Sequence, residues 1–117
     1  MSEVGGLRYI DESRTNSRTW TELSQGTRLV GDGAANAAID PLTDVKKKIR
    51  DLVATLVSSR STIGDLIVVG TEPDGPLVLL EGHTRATAYL LARRSLPDEV
   101  SVVVGTSAQF PMTWPFF

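Results

Sequence analysis

The stretch Leu77-Val78-Leu79-Leu80-Glu81-Gly82-His83-Thr84-Arg85-Ala86-Thr87-Ala88 constrains the fold more than any other. Its apolar start reads as a buried strand, and the residues after Gly82 read as a helix. The chain must therefore turn from strand to helix at one glycine. That junction has a chemical consequence. The first N–H groups of a helix have no partner within it, and the helix dipole adds partial positive charge there. Gly82 removes the Cβ that would block close approach or an unusual φ. Thr84 adds a hydroxyl and Arg85 a fixed fork of donors, both suited to phosphate or carboxylate. The same pattern serves a plain helix start, with Thr84 or His83 as caps and Arg85 paired for structure.

The neighbouring segments support a mixed class. Leu66-Ile67-Val68-Val69 is a second buried-type strand, and Thr71-Glu72-Pro73-Asp74-Gly75 carries the Pro and Asp-Gly of a turn. A hairpin is predicted, with the return strand over Pro76–Leu80 delivering Glu81 and Gly82 at its far end. The helix after it is predicted from His83 to Arg94, burying Ala86, Tyr89, Leu90 and the stem of Arg93, with Thr87 assigned to the core. Asp40-Pro41 is a helix start signal. Val45, Ile49, Leu52, Val53, Leu56 and Val57 then form one apolar stripe at helical spacing, opposite Lys46, Lys47, Lys48, Arg50 and Asp51. Ser58 to Thr62 fray that helix and Gly64 ends the connection. Val100–Val104 is predicted as a strand in the sheet interior, because a run of valines suits that place.

The N-terminal part is less regular. Met1 to Arg18 is expected as a loose arm (1–18) ahead of a single domain (19–117). The partial alternation of Leu7, Tyr9 and Ile10 permits a short edge strand. Trp20-Thr21-Glu22-Leu23 reads as one helical turn placing Trp20 and Leu23 on the core. Thr27–Val30 reads as an extended piece stopped by Gly31-Asp32-Gly33, and Ala34–Ile39 is ambiguous. At the other end, Ser107 is placed to cap a short turn limited by Pro111. The aromatic tail Phe110–Phe117 has to pack somewhere. Closing the core is the expected role; covering the Gly82 turn and binding a protein partner such as a second copy are the alternatives.

Composition removes several functions. With 117 residues and a formal charge of −2, the chain is one domain without the bulk basic charge of typical nucleic-acid binders, and DNA is not an expected partner. The Lys46–Arg50 cluster reads as the solvated face of a helix. No cysteine means no disulfide framework, thiolate metal site or cysteine nucleophile, and a single histidine excludes a His-rich metal site. No apolar run approaches a membrane span, and Met1–Ile10 lacks the basic start and apolar core of a signal peptide. A cytoplasmic location without membrane contact is the expectation.

Glu81-Gly82-His83-Thr84-Arg85-Ala86-Thr87-Ala88 resembles the G-x-x-R-x-x-A signature of the ParB/sulfiredoxin superfamily. The likeness extends over roughly Thr43 to Val104 in its order of elements. It implies an α+β fold, a small mixed β-sheet flanked by helices. It also implies nucleotide binding at this turn, with phosphates held by Gly82, His83, Thr84 and Arg85. The acid-Gly-His-x-Arg form is closest to the free-serine-kinase-like members. That branch implies ATP or ADP rather than CTP, magnesium only together with nucleotide, and a small-molecule acceptor. It makes Glu81 and His83 the catalytic candidates, His83 having an ordinary pKa near neutrality. Such kinases also carry an upstream acid, for which Asp40 is the nearest equivalent by order. Two departures narrow the field. A sulfiredoxin carries a cysteine where His83 stands, so sulfinic-acid repair is excluded. ParB proteins have Glu and Arg in place of His83 and Thr84, and a helix-turn-helix region follows. The expected function is a small nucleotide-binding NTPase or phosphotransferase. The alternative is a ParB-like module in which nucleotide switches DNA or protein binding without catalysis.

Overall fold

The computed structural model describes residues 2–38, 44–60, 66–72, 75–96 and 100–117. Its centre is a three-stranded mixed sheet built from β1 (Leu66–Gly70), β2 (Leu77–Glu81) and β3 (Val102–Thr106), in the order β2-β1-β3. β1 and β2 run antiparallel as the predicted hairpin, closed by Gly75 N–H on the Glu72 carbonyl at 3.1 Å. Pro73 and Asp74 of the turn lie outside the described residues. The register breaks between Ile67 and Val68: Ile67 faces Glu81 but Val68 faces Leu79. Leu80 is the extra residue of that bulge. This is why the last residue of an apolar run stands in solvent while Leu79 is fully buried. A bulge bends its strand, and here the bend comes three residues before the chain enters its helix at His83.

α4 (His83–Leu91) leaves β2 and packs between α2 (Val30–Ala37) and α3 (Asp44–Ser59). Ala86, Thr87, Ala88, Tyr89 and Leu90 are all buried, so Thr87 lies in the core as predicted. The helix stops at Leu91, and Arg93–Ser95 follow as a 3-10 turn with Arg93 exposed rather than half-covered. From Ile49 on, α3 carries the predicted stripe: Ile49 and Leu56 are fully buried, Leu52 and Val53 pack against the core, and Val57 lies at its exposed margin; the side chain of Val45 lies outside what is described. The Asp40-Pro41 start signal lies outside the described residues.

Three expectations change. First, Val30-Gly31-Asp32-Gly33-Ala34 does not stop an extended piece; it begins α2. Its glycines serve packing. A Cβ on Gly33 would collide with the Tyr9 ring, and one on Gly31 would lie 3.2 Å from the Gly5 carbonyl oxygen. Tertiary contact here outweighs the poor helix propensity of glycine. Second, β3 is not interior. Among the described strands it pairs only with β1, in parallel, and Val102, Val103 and Val104 are all exposed. The crossover through α4 sets strand order, which valine content cannot report. Third, Ser2–Arg18 is not a loose arm. Ser2–Gly6 winds as a 3-10 turn, and Val4, Leu7, Tyr9 and Glu12 are buried. The sequence hides this because those inward residues fall at irregular spacing among glycines and charged residues, and one of them is an acid.

The short edge strand anticipated around Tyr9 is real but minimal. Arg8 N–H donates to the Leu77 carbonyl at 3.0 Å, and Leu79 N–H donates to the Arg8 carbonyl at 2.8 Å. Arg8 thus bridges in parallel to Val78 and antiparallel to Leu29, extending the sheet beyond β2. Trp20 and Leu23 sit in α1 (Thr19–Leu23), Leu23 buried and Trp20 partly so.

Candidate functional site

The strand-to-helix junction has the geometry its sequence calls for. Gly82 is the residue before α4 and sits in the left-handed region at φ 96°. Its carbonyl accepts the Ala86 N–H at 2.7 Å, so the helix is under way at once. The N–H groups of His83, Thr84 and Arg85 fall in the first turn, where no helical carbonyl reaches them. Gly82, at the cap position, has no side chain to satisfy them. A Cβ at Gly82 would lie 2.9 Å from Leu66 Cδ2 and 3.5 and 3.6 Å from Nη2 and Nε of Arg85. The Arg85 guanidinium is therefore folded back over the glycine. A permanent cation and the positive end of a helix meet at one turn. Thr84 and Arg85 are half-buried, and Glu81 is exposed just ahead of them.

His83 points its chemistry elsewhere. Its Nε2 accepts the backbone N–H of Ile10 at 3.1 Å. Its ring stacks on Tyr9 at 5.8 Å between centroids and meets Trp20 at 5.3 Å, while Tyr9 stacks on Trp20 at 4.9 Å. Burial pushes the imidazole pKa down to about 4, against the opposing pull of the Glu12 carboxylate. At neutral pH the ring is uncharged, with Nε2 unprotonated and committed to the fold. It has no proton to give from that nitrogen and no free lone pair there to take one. The backbone N–H of His83 remains part of the α4 first turn.

A chain of hydroxyls holds this ring cluster to α4. The Thr87 hydroxyl donates to the His83 carbonyl at 2.9 Å. Having spent its one proton, it accepts from the Tyr9 hydroxyl at 2.6 Å. Burial raises the Tyr9 pKa to about 12, with the bond to Thr87 acting in the other direction.

Glu12 is the residue that sequence reading missed. It is 2% exposed, and its Oε1 accepts Trp20 N–H at 2.7 Å, Thr21 N–H at 2.8 Å and the Thr21 hydroxyl at 3.2 Å. It does for α1 what a capping side chain does, from eight residues upstream, since Arg18 at the cap position supplies no side-chain bond. Burial alone would raise its carboxyl pKa, yet hydrogen bonds from Ser17, Thr21 and Trp20 hold it below the ordinary value. Arg18 closes the loop by donating Nη1 to the carbonyls of Glu12, Thr15 and Ser17. No periodicity marks an acid inside Asp11-Glu12-Ser13-Arg14, so no pattern could have found it. Tyr9 and Trp20 were visible as apolar positions, but not as a cage for His83.

Asp40, the upstream acid, lies outside the described residues. The aromatic tail packs on itself and on the N-terminal segment. Phe110 stacks with Phe117, and Trp114 meets Phe116 and Phe117 edge-on. The Phe116 carbonyl accepts Asp11 N–H at 2.7 Å, and Arg28 Nη2 donates to the Phe117 carbonyl at 2.6 Å. None of these rings joins the buried cluster. Among the described residues no group of three His, Cys, Asp or Glu is placed to hold a metal ion, and no helix is long and apolar enough to cross a membrane. No family model matches the chain, and neither comparison with curated proteins nor comparison with solved structures returns a match.

Proposed function

We propose that the first turn of α4, Gly82 to Arg85, binds the phosphates of a nucleotide, and that the protein is a small nucleotide-binding domain of ParB/sulfiredoxin type. One observation carries this reading: the Arg85 guanidinium folded over a helix start that opens on a left-handed glycine. Backbone donors, helix dipole and cation converge there, the combination that suits an oxyanion. The choice of ATP or ADP over CTP rests on the likeness of Glu81-Gly82-His83-Thr84-Arg85 to the kinase-like branch. Magnesium would enter with the nucleotide, which supplies most of its ligands.

Phosphoryl transfer to a small-molecule acceptor is the second reading. The exposed Glu81 carboxylate directly ahead of the turn favours it. Such transfer needs mainly positioning and charge from the protein. In this reading Glu81 handles the proton. His83 contributes its backbone N–H and holds the turn in place, because its ring is neutral and engaged by Ile10.

Calorimetric titration with ATP, ADP and CTP, each with and without magnesium, tests the site. Saturable binding that Arg85→Ala weakens tenfold or more is the expected result. Absence of binding to all three, or equal affinity in Arg85→Ala, overturns the assignment. Preference for CTP without turnover would move the reading to a ParB-like switch. Release of phosphate that Glu81→Gln slows at unchanged affinity would establish phosphoryl chemistry with water as acceptor, nucleoside diphosphate formed without free phosphate would mark transfer to another acceptor, and equal turnover in that variant removes Glu81 from either.

A further inference from the structure

The outer edge of β3 is a built pairing surface. Leu66 N–H donates to the Ser101 carbonyl at 3.1 Å, and Ser107 N–H donates to the Gly70 carbonyl at 3.0 Å. These two bonds fix the phase of the parallel ladder between β1 and β3. In such a ladder alternate residues turn their backbone groups to the same neighbour. Odd-numbered residues of β3 therefore face β1, and the N–H and C=O of Val102, Val104 and Thr106 face outward. No described strand pairs with them. The side chains there are 37% (Val102), 52% (Val103) and 45% (Val104) exposed, on both faces of the strand.

Edge strands are ordinarily protected by charge, proline or a bulge. β3 has none of these, and the chain from Val100 to Phe117 contains no Asp, Glu, Lys or Arg. A charged partner strand would find nothing to complement. A second copy would meet no like charge.

We infer that β3 pairs antiparallel with β3 of a second copy, about a two-fold axis through Val103. In that register Val102 lies opposite Val104 of the copy, and Val104 opposite Val102. Both pairs use the outward backbone groups, so each exchanges two N–H to C=O bonds. Val103 lies opposite itself in the pair without hydrogen bonds, where side chains approach most closely. Every exposed valine of the strand then meets a valine. The result is one continuous sheet in the order β2-β1-β3-β3-β1-β2. The strand buries far less than the roughly 800 Å² per partner of a standard interface, so the association is weak and concentration-dependent.

Sedimentation equilibrium of the full chain, from micromolar to near-millimolar concentration, tests this together with amide hydrogen exchange over the same range. The expected result is a monomer–dimer equilibrium, with protection of the Val102, Val104 and Thr106 amides rising with concentration. Val103→Lys places two ammonium groups opposite each other on the axis and should weaken dimerisation at least tenfold. If that variant does not fold, the concentration dependence of exchange in the unaltered protein decides alone. A monomer throughout, with edge amides unprotected at all concentrations, overturns the pairing. So does a dimer that leaves those amides unprotected, as would one made through the aromatic tail. Nucleotide is absent from the experiment, so its outcome is independent of the Gly82 site.

Discussion

The sheet ends differently on its two sides. Beyond β2 the edge is closed by Arg8, whose backbone pairs with Leu77 and Leu79 and draws Tyr9, Ile10 and Glu12 against α1 and α4. Beyond β3 no described strand follows, and the valines stand in solvent. Both sides are rich in apolar residues, so apolar content does not separate them. What separates them is where the polar groups go. On the closed side, buried polar atoms find partners within the fold: Glu12 on α1, His83 on Ile10, Tyr9 on Thr87. On the open side, the outward amides and carbonyls of β3 meet no described strand. The closed side should therefore be sensitive to substitution and pH, and the open side tolerant in stability.

The largest effect expected is from Glu12→Ala. It strips the Trp20 and Thr21 amides of their acceptor in a buried place, at a cost of about 3 kcal/mol in unfolding free energy. Urea denaturation measures this, and a loss below about 1 kcal/mol would mean that α1 does not depend on Glu12.

Next comes pH. His83 has a folded pKa pushed down to about 4 from 6.5, so the unfolded chain binds more protons between those values. Stability contributed by the neutral ring is full above pH 6.5 and is lost as pH falls toward 4. A shift of this size is worth roughly 3 kcal/mol. Glu12, held below its ordinary value, acts in the same direction at the acid end. His83→Gln, which retains an acceptor for Ile10, should flatten the profile between pH 4 and 6.5 by about one proton. An unchanged slope would place the titration elsewhere.

Gly82→Ala should cost about 1–2 kcal/mol, because it puts a Cβ in the left-handed region and against Leu66. It tests the junction itself, and a neutral result would show that the turn relaxes without strain. The smallest effect belongs to Val103→Thr, which should change the monomer's stability by no more than about 0.5 kcal/mol in thermal or urea unfolding. A large loss from Val103→Thr would erase the contrast between the two edges.

Much of the fold was legible because it rests on local pattern. The hairpin, the stripe of α3 and the glycine junction each follow from residues close in sequence, where period and turn chemistry act directly. The junction is the clearest case: Gly82 had to be glycine for φ and for space, and both demands belong to one position. The rest depended on contacts distant in sequence. Glycines in α2 read as a stop until Tyr9 and Gly5 are seen lying against them. Glu12 reads as one more surface acid until the loop folds it under α1.

The sequence by itself determined the mixed α+β class and the strand-to-helix turn at Gly82, because backbone dihedrals and hydrophobic period are properties of neighbouring residues. Only the tertiary structure decided that His83 is a neutral, stacked residue and not a free titrating group, and that β3 lies at an edge and not in the interior. Desolvation and strand order arise from the whole chain's packing, and no local stretch encodes them.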